Sequence, residues 1–220
     1  MKLGDFRILE SYVRALRSAE RLIYLENQFL WSPEIGAILA EKLRHPPSDD
    51  FRLLAVLPAK PSTGGDDTRG TLVELVEADG GAGRFLPCTL FARSETRVDP
   101  IYVHAKVGLV DDRWLTVGSA NLNEHSLFND TEMNVVANDP DLARDVRVRL
   151  WAEHLERPVD EVAAAGPVAL VDDAWRPIAE EQLTRRKQGA QLTHRLVRLP
   201  HVSRRSARLL GPLTGFLVDG

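Results

Sequence analysis

The sequence predicts an α/β fold, with one mixed β-sheet sandwiched between helices and a mainly helical C-terminal tail. Three observations carry this. Strand-type apolar runs first alternate with helix-period segments and then cluster, the order expected of a mixed sheet flanked by helices. Hydrophobic residues make up 44% of the chain and charged residues 27%, a globular composition. The 220 residues suffice for one core, and no internal repeat or low-complexity segment interrupts them.

Each element follows from local pattern. In "FRILESYVRALRSAERL" the residues Phe6, Leu9, Tyr12, Val13, Leu16 and Ala19 recur near the helical period. "RLIYLENQF" reads as a buried strand, and "SPEIGAILAEKLRH" as a helix capped by Ser32 with Pro33 at its first position. "FRLLAVLP" is a second buried strand. The segment Pro58–Gly70 is rich in Pro, Gly and Asp, a loop placed to border a pocket, and leads to the helix "TLVELVEA". Four strands follow, "LPCTLFARS", "IYVHAKVGLV", "WLTVGS" and "EMNVVAN", then the helix "PDLARDVRVRLWAEHL". The domain is expected over residues 1–157, with 158–220 as a helical, basic extension packing on it.

Composition narrows the setting. No apolar run is long enough to span a bilayer, and the charged N-terminus has no apolar core of a signal peptide. Cys88 is the single cysteine and sits in an apolar run, so it reads as a small core residue of a cytoplasmic protein. The net charge of −4 is unevenly spread. Residues 182–218 hold eight Arg or Lys and no Asp or Glu, while the first 181 residues carry a balance of −11. Such a tail either wraps its own acidic body or meets an anionic membrane surface, a peripheral contact that leucines and valines between the arginines would suit.

The chemistry concentrates in "VHAKVGLVDDRWLTVGSAN", Val103 to Asn121. On a strand, alternate side chains share a face about 6.5–7 Å apart. His104 and Lys106 would then lie together, with Ala105, Val107 and Leu109 facing the core. "WLTVGS" returns antiparallel after the turn "DDR", so Ser119 and Asn121 emerge beside them. Asn121 also starts an Asn-x-x-Glu pattern with Glu124, a plausible helix cap. An ammonium beside neutral donors stabilises a phosphate and the charge that builds in its transition state. Histidine can attack phosphorus and later depart. An acceptor must orient its second nitrogen, and Glu132 is the expected one.

Blander readings stand beside these. His104, Asp111 and His125 could be metal ligands, but Lys106 would repel a cation, so no metal or cofactor is expected. His125 and His154 lie in helix-like, charged surroundings and read as surface residues. Glu26 is either a buried, satisfied carboxylate or part of a pocket wall with Asn27 and Gln28. The tryptophans read as packing.

The pattern His104-x-Lys106-x4-Asp111, followed by Gly118-Ser119-x-Asn121, resembles the HKD signature of the phospholipase D superfamily, and Glu132 falls where that family places a histidine-orienting carboxylate. "IYLENQFL", Ile23 to Leu30, is similar to the strand preceding the second HKD motif in two-motif phospholipases D. The resemblance spans roughly residues 5–157 and implies an α/β/α sandwich that cleaves or transfers phosphodiesters without a metal. It makes His104 the nucleophile or the acid and Lys106 and Asn121 the holders of phosphate oxygens, assisted by Ser119. Asp111, although part of the signature, is implied to pin the strand turn.

That chemistry needs two histidines, one to attack and one to protonate the leaving oxygen. A single motif therefore implies a partner, either the N-terminal half of a longer or split enzyme or a second copy in a homodimer. The expected substrate is a glycerophospholipid. Alternatives are a cardiolipin-synthase-like phosphatidyltransferase, a nuclease, or an inactive half that serves as a packing partner. Nucleic acid is disfavoured by the acidic body.

Overall fold

The computed structural model describes residues 4–60, 65–94 and 97–200. Its helices are α1 (Arg7–Ser18), α2 (Pro33–Arg44), α3 (Gly65–Asp79), α4 (Glu124–Phe128), α5 (Pro140–Leu155), α6 (Val159–Ala164), α7 (Pro167–Leu170) and α8 (Arg176–Lys187). A π-helical turn, Val171–Trp175, joins α7 to α8. The strands are β1 (Leu22–Asn27), β2 (Arg52–Val56), β3 (Phe85–Arg93), β4 (Val98–Pro100), β5 (Lys106–Val110), β6 (Trp114–Gly118), β7 (Asn134–Ala137) and β8 (Leu196–Arg198).

One sheet runs in the order β4-β3-β2-β1-β5-β6-β7, with β8 also beside β3. β1, β2 and β3 are parallel, and the crossovers that parallel pairing requires are α2 and α3. β5, β6 and β7 form an antiparallel meander on β1. Alternation along β1 sends Ile23 and Leu25 into a core with α1, α2 and α3, and Leu22 and Tyr24 into a second core with α5, Trp175 and α8. Helices on both faces explain why the central strands read as unbroken apolar runs.

Helix starts follow capping chemistry. Ser32 Oγ accepts from Ile35 N at 3.4 Å, with Pro33 at the first helical position of α2. Asp139 accepts from Asp141 N and Leu142 N, both at 3.1 Å, at the start of α5. The cap of α4 is Asn123, whose Oδ1 accepts from Ser126 N at 2.8 Å, not Asn121 as the Asn-x-x-Glu spacing suggested. Helix α3 starts at Gly65, inside the segment Pro58–Gly70 read as a loop; residues 61–64 lie outside the described ones.

The extension is structural. Val162, Leu170, Val171, Trp175, Ala179 and Leu196 are buried in the second core, and β8 adds a strand that a helical tail did not anticipate. Its described arginines are engaged by the body or by their own helix. Arg195 pairs with Glu153 and Arg198 with Glu180, Arg185 with Glu181, and Arg186 lies 4.4 Å over the Phe91 ring. Arg204, Arg205 and Arg208 lie outside the described residues.

The β5–β6 turn is the most constrained joint. Asp111 and Asp112 both adopt left-handed backbone, with φ of 51° and 52°, and Arg113 N donates to Val110 O at 2.9 Å. Three residues, Asp111 to Arg113, thus connect the paired Val110 and Trp114, and left-handed backbone costs a non-glycine residue about 1–2 kcal/mol. Both carboxylates offset it. Asp111 accepts from the backbone N–H groups of Glu20, Arg21 and Leu22 at 2.7, 2.9 and 2.7 Å. Asp112 receives both arms of the buried Arg147 guanidinium, at 2.6 and 2.8 Å. Replacing Asp111 by Ala should therefore lower stability by about 3 kcal/mol in urea unfolding, the three charge-assisted bonds being lost together. Asp111→Gly should lose about 1 kcal/mol less, because glycine adopts the left-handed turn freely.

Candidate active site

The site forms at the sheet end where β1 and β6 finish and β5 begins, the carboxyl end of the parallel strands, where open α/β sheets bind ligands. Register does the assembling, because Asn27 at the end of β1 stands opposite Lys106 at the start of β5. Lys106 is only 6% exposed, and a buried ammonium persists only where acceptors replace its water. It donates to Gln28 Oε1 and to the main-chain oxygen of His104, each at 3.0 Å.

This corrects the simple strand picture. β5 starts at Lys106, so His104 lies in the irregular segment before it and its side chain is exposed. The face that Lys106 shares is no open floor either. Val110 belongs to the core there, and a Cβ on Gly108 would meet Tyr12, Trp114 and Thr116 at 3.0–3.2 Å. Exposure resumes before the strand, at His104.

Gly118 permits the next turn. A Cβ there would fall 2.2 Å from Asn134 Oδ1 and 2.3 Å from Met133 O, so only glycine lets β6 pass this close to β7. Ser119 follows, exchanging backbone bonds with the same segment: its N donates to Met133 O, and its Oγ accepts from Met133 N, both at 3.0 Å. Ser119 Oγ donates to the Glu132 carboxylate. Glu132, expected to orient His104, is instead a partner of Ser119, because the β6–β7 pairing carries it to that hydroxyl.

Asn121 is 7% exposed, and its Oδ1 is buried with no hydrogen-bond partner among the described residues. Asn27 Oδ1 accepts from Phe29 N and Leu122 N, both at 3.2 Å, which fixes the chain beside Asn121, while Asn27 Nδ2 has no partner among the described residues. Two buried amides at this end of the sheet thus hold unspent hydrogen-bonding capacity among the described residues. Among the described residues no three His, Cys, Asp or Glu side chains gather closely enough to hold a metal ion.

Asp111 is not part of this group. It lies five residues along β5, roughly 17 Å away at strand rise, and its carboxylate is committed to α1–β1 backbone. Glu26 also points away, into the opposite core. It accepts from Tyr24 Oη at 2.7 Å and stands 3.0 Å from His154 Nε2, so His154 is buried rather than superficial. Burial pushes the Glu26 carboxyl upward, but the hydrogen bond and charge of His154, with the Tyr24 hydroxyl, outweigh it and hold Glu26 below its ordinary value. Sequence reasoning also passed over Tyr102, whose hydroxyl accepts from Gln28 Nε2 at 2.7 Å.

Known proteins share sequence and fold with this chain. Residues 83–153 match the family model described as the PLD-like domain of cardiolipin synthase. The chain is 29% identical to phospholipase D2 of Bos taurus over 175 positions, covering 61% of this chain and 19% of that protein. It is 27% identical to phospholipase D zeta 1 of Arabidopsis thaliana over 221 positions, covering 72% and 20%. The chain thus spans about a fifth of the length of these relatives. Among solved structures, Nuc from Salmonella typhimurium, a phospholipase D family member, superposes with a TM-score of 0.51 at 20% identity, covering 70% of this chain and 89% of that one. NucT from Helicobacter pylori gives 0.51 at 12% identity, covering 66% and 84%. At these identities the structures establish the shared fold.

The Glu26–His154 pair yields a pH signature. A depressed carboxyl contributes stability that is fully present above its ordinary value of 4.5 and lost as pH falls through the lower folded value. Urea unfolding between pH 6 and pH 3 should show Glu26→Gln about 2 kcal/mol less stable at pH 6, with a shallower decline on acidification. Parallel curves for the two proteins would contradict the assignment.

Proposed function

We propose that this chain, which belongs to the phospholipase D superfamily and is a phosphodiesterase domain of it, works through a covalent phosphohistidine on a glycerophospholipid, as one half of a two-histidine site. The observation that carries this reading is the buried Lys106, bonded to the His104 main chain and set opposite Asn27 at the start of its strand.

The step balances simply. A lone pair on the His104 ring forms the N–P bond. The P–O bond to the head-group alcohol breaks, its electrons pass to that oxygen, and the second histidine supplies the proton. Water or an acceptor alcohol, deprotonated by the same second histidine, then displaces His104. Lys106 and Asn121 offset the charge on the phosphoryl oxygens as it grows, which is where such groups lower a barrier. The same two groups serve equally if His104 is the acid and the partner's histidine attacks.

The partner half fits the edge of the meander. Val117, Val135 and Met133 are 45%, 69% and 78% exposed beside the Ser119–Glu132 contact, an apolar strip flanking the site. Transfer to an alcohol, rather than to water alone, is favoured by the match to the cardiolipin synthase PLD-like domain. In this reading the basic segment 182–218, four of whose arginines also pair within the fold, adds a peripheral contact with anionic membrane, and no described helix is long and apolar enough to cross one.

Turnover of a chromogenic phosphodiester and of phosphatidylcholine vesicles, measured across gel-filtration fractions, tests the proposal. Activity should follow an assembled dimer or a complex with a separate HKD half, and a strict monomer should be nearly silent. His104→Ala and Lys106→Met should each cost about 1,000-fold or more in kcat, and chelation by EDTA should leave the rate unchanged. Full turnover by a monomer would remove the half-site, and unimpaired His104→Ala would remove the mechanism.

A further inference from the structure

We propose that Tyr102 is a positioning residue for His104, linking the Glu26–Asn27–Gln28 segment to the imidazole. The inference rests on reading His104 as the group that attacks or protonates. The Tyr102 ring lies nearly parallel to the His104 ring, with 25° between planes and 6.2 Å between centroids, within the range of offset aromatic pairs. Its hydroxyl accepts from Gln28 Nε2 at 2.7 Å, and Gln28 Oε1 accepts from Lys106 Nζ at 3.0 Å. Lys106 closes the circuit on the main-chain oxygen of His104.

The arrangement answers a need that Glu132 leaves open. His104 is exposed and precedes its strand, so neither sheet pairing nor core packing fixes its ring. Glu132 is bonded to Ser119. A free imidazole samples its rotamers, and each unproductive one removes the nitrogen from line with phosphorus. Tyr102 offers a flat wall, and Gln28 anchors that wall to the same ammonium that faces the phosphate. Ring and cation are thereby held as a unit. The imidazole also gains positive charge as the N–P bond forms, which an aromatic face tolerates well.

The test combines a structural signature with kinetics in the full chain. The His104 ring resonances, assigned by their loss in His104→Gln, should move downfield in Tyr102→Leu as the aromatic ring current vanishes, and keep their position in Tyr102→Phe. With bis(p-nitrophenyl) phosphate, Tyr102→Leu should lower kcat about 100-fold, the usual effect of a misplaced reacting group, with KM within about twofold. Tyr102→Phe should show a smaller loss than Tyr102→Leu. Gln28→Leu, which also strips Lys106 of its side-chain acceptor, should cost at least as much as Tyr102→Phe, and the double variant no more than Gln28→Leu alone, since that change already deletes the Tyr102 bond. Circular dichroism confirms folding of each variant. Unmoved resonances in Tyr102→Leu overturn the proposal whatever the turnover, as does a loss confined to KM. If the chain alone gives no turnover, the resonances decide. Should His104→Ala keep full activity, the functional reading fails instead, independently of the ring signature.

Discussion

A single buried ammonium organises this end of the molecule. Taking Lys106 out of water is costly unless acceptors surround it, so the fold must bring oxygen atoms to it from elsewhere in the chain. It finds them in Gln28, 78 positions earlier, and in the carbonyl of His104. The β1–β5 register decides that meeting, because sliding the pair by one residue would turn Lys106 into the opposite core. That register sets Asn27 and the histidine segment side by side, and the β6–β7 pairing places the turn from Ser119 to Asn121 at the same sheet end.

The two ends of β5 divide the labour of one motif. At one end the buried Lys106 adjoins the exposed His104 segment. At the other, Asp111 holds the backbone of Glu20 to Leu22, and Asp112 holds the buried Arg147 of α5. A rigid far end makes the near end reproducible, since a short strand clamped at its turn cannot slide without breaking charge-assisted bonds. Asp111 therefore belongs with His104 and Lys106 in sequence and apart from them in space. The Glu26–His154 pair plays a related part behind β1, where it joins the strand that carries Asn27 to α5.

Much of this was legible in the residues. The apolar runs located the central strands, because burial on both faces leaves no polar alternation to misread. Pro33 with Ser32 and Pro140 with Asp139 marked two helix starts. His104, Lys106 and Asn121 stood out because polar groups at fixed spacing interrupt strand-like sequence. What stayed hidden depended on contacts distant along the chain. His154 looked superficial because its partner Glu26 is 128 residues away, and nothing in "AEHLER" signals burial. The strand containing His104 looked longer than it is, since alternation cannot reveal that Lys106 turns back to bond the residue two before it. Glu132 was matched to the wrong partner because the β6–β7 register, unknowable from spacing, delivers it to Ser119. The three-residue β8 carried too little pattern to separate it from a helical tail.

The central claim is that His104, Lys106 and Asn121 surround one oxyanion. Titration of inorganic phosphate into isotope-labelled protein, observed at the His104 ring, the Lys106 side chain and the Asn121 side-chain amide, tests it most directly. The account predicts that all three respond along one saturating curve while Asp111 and His154 stay unmoved. Separate curves, or a response at none of the three, would contradict it.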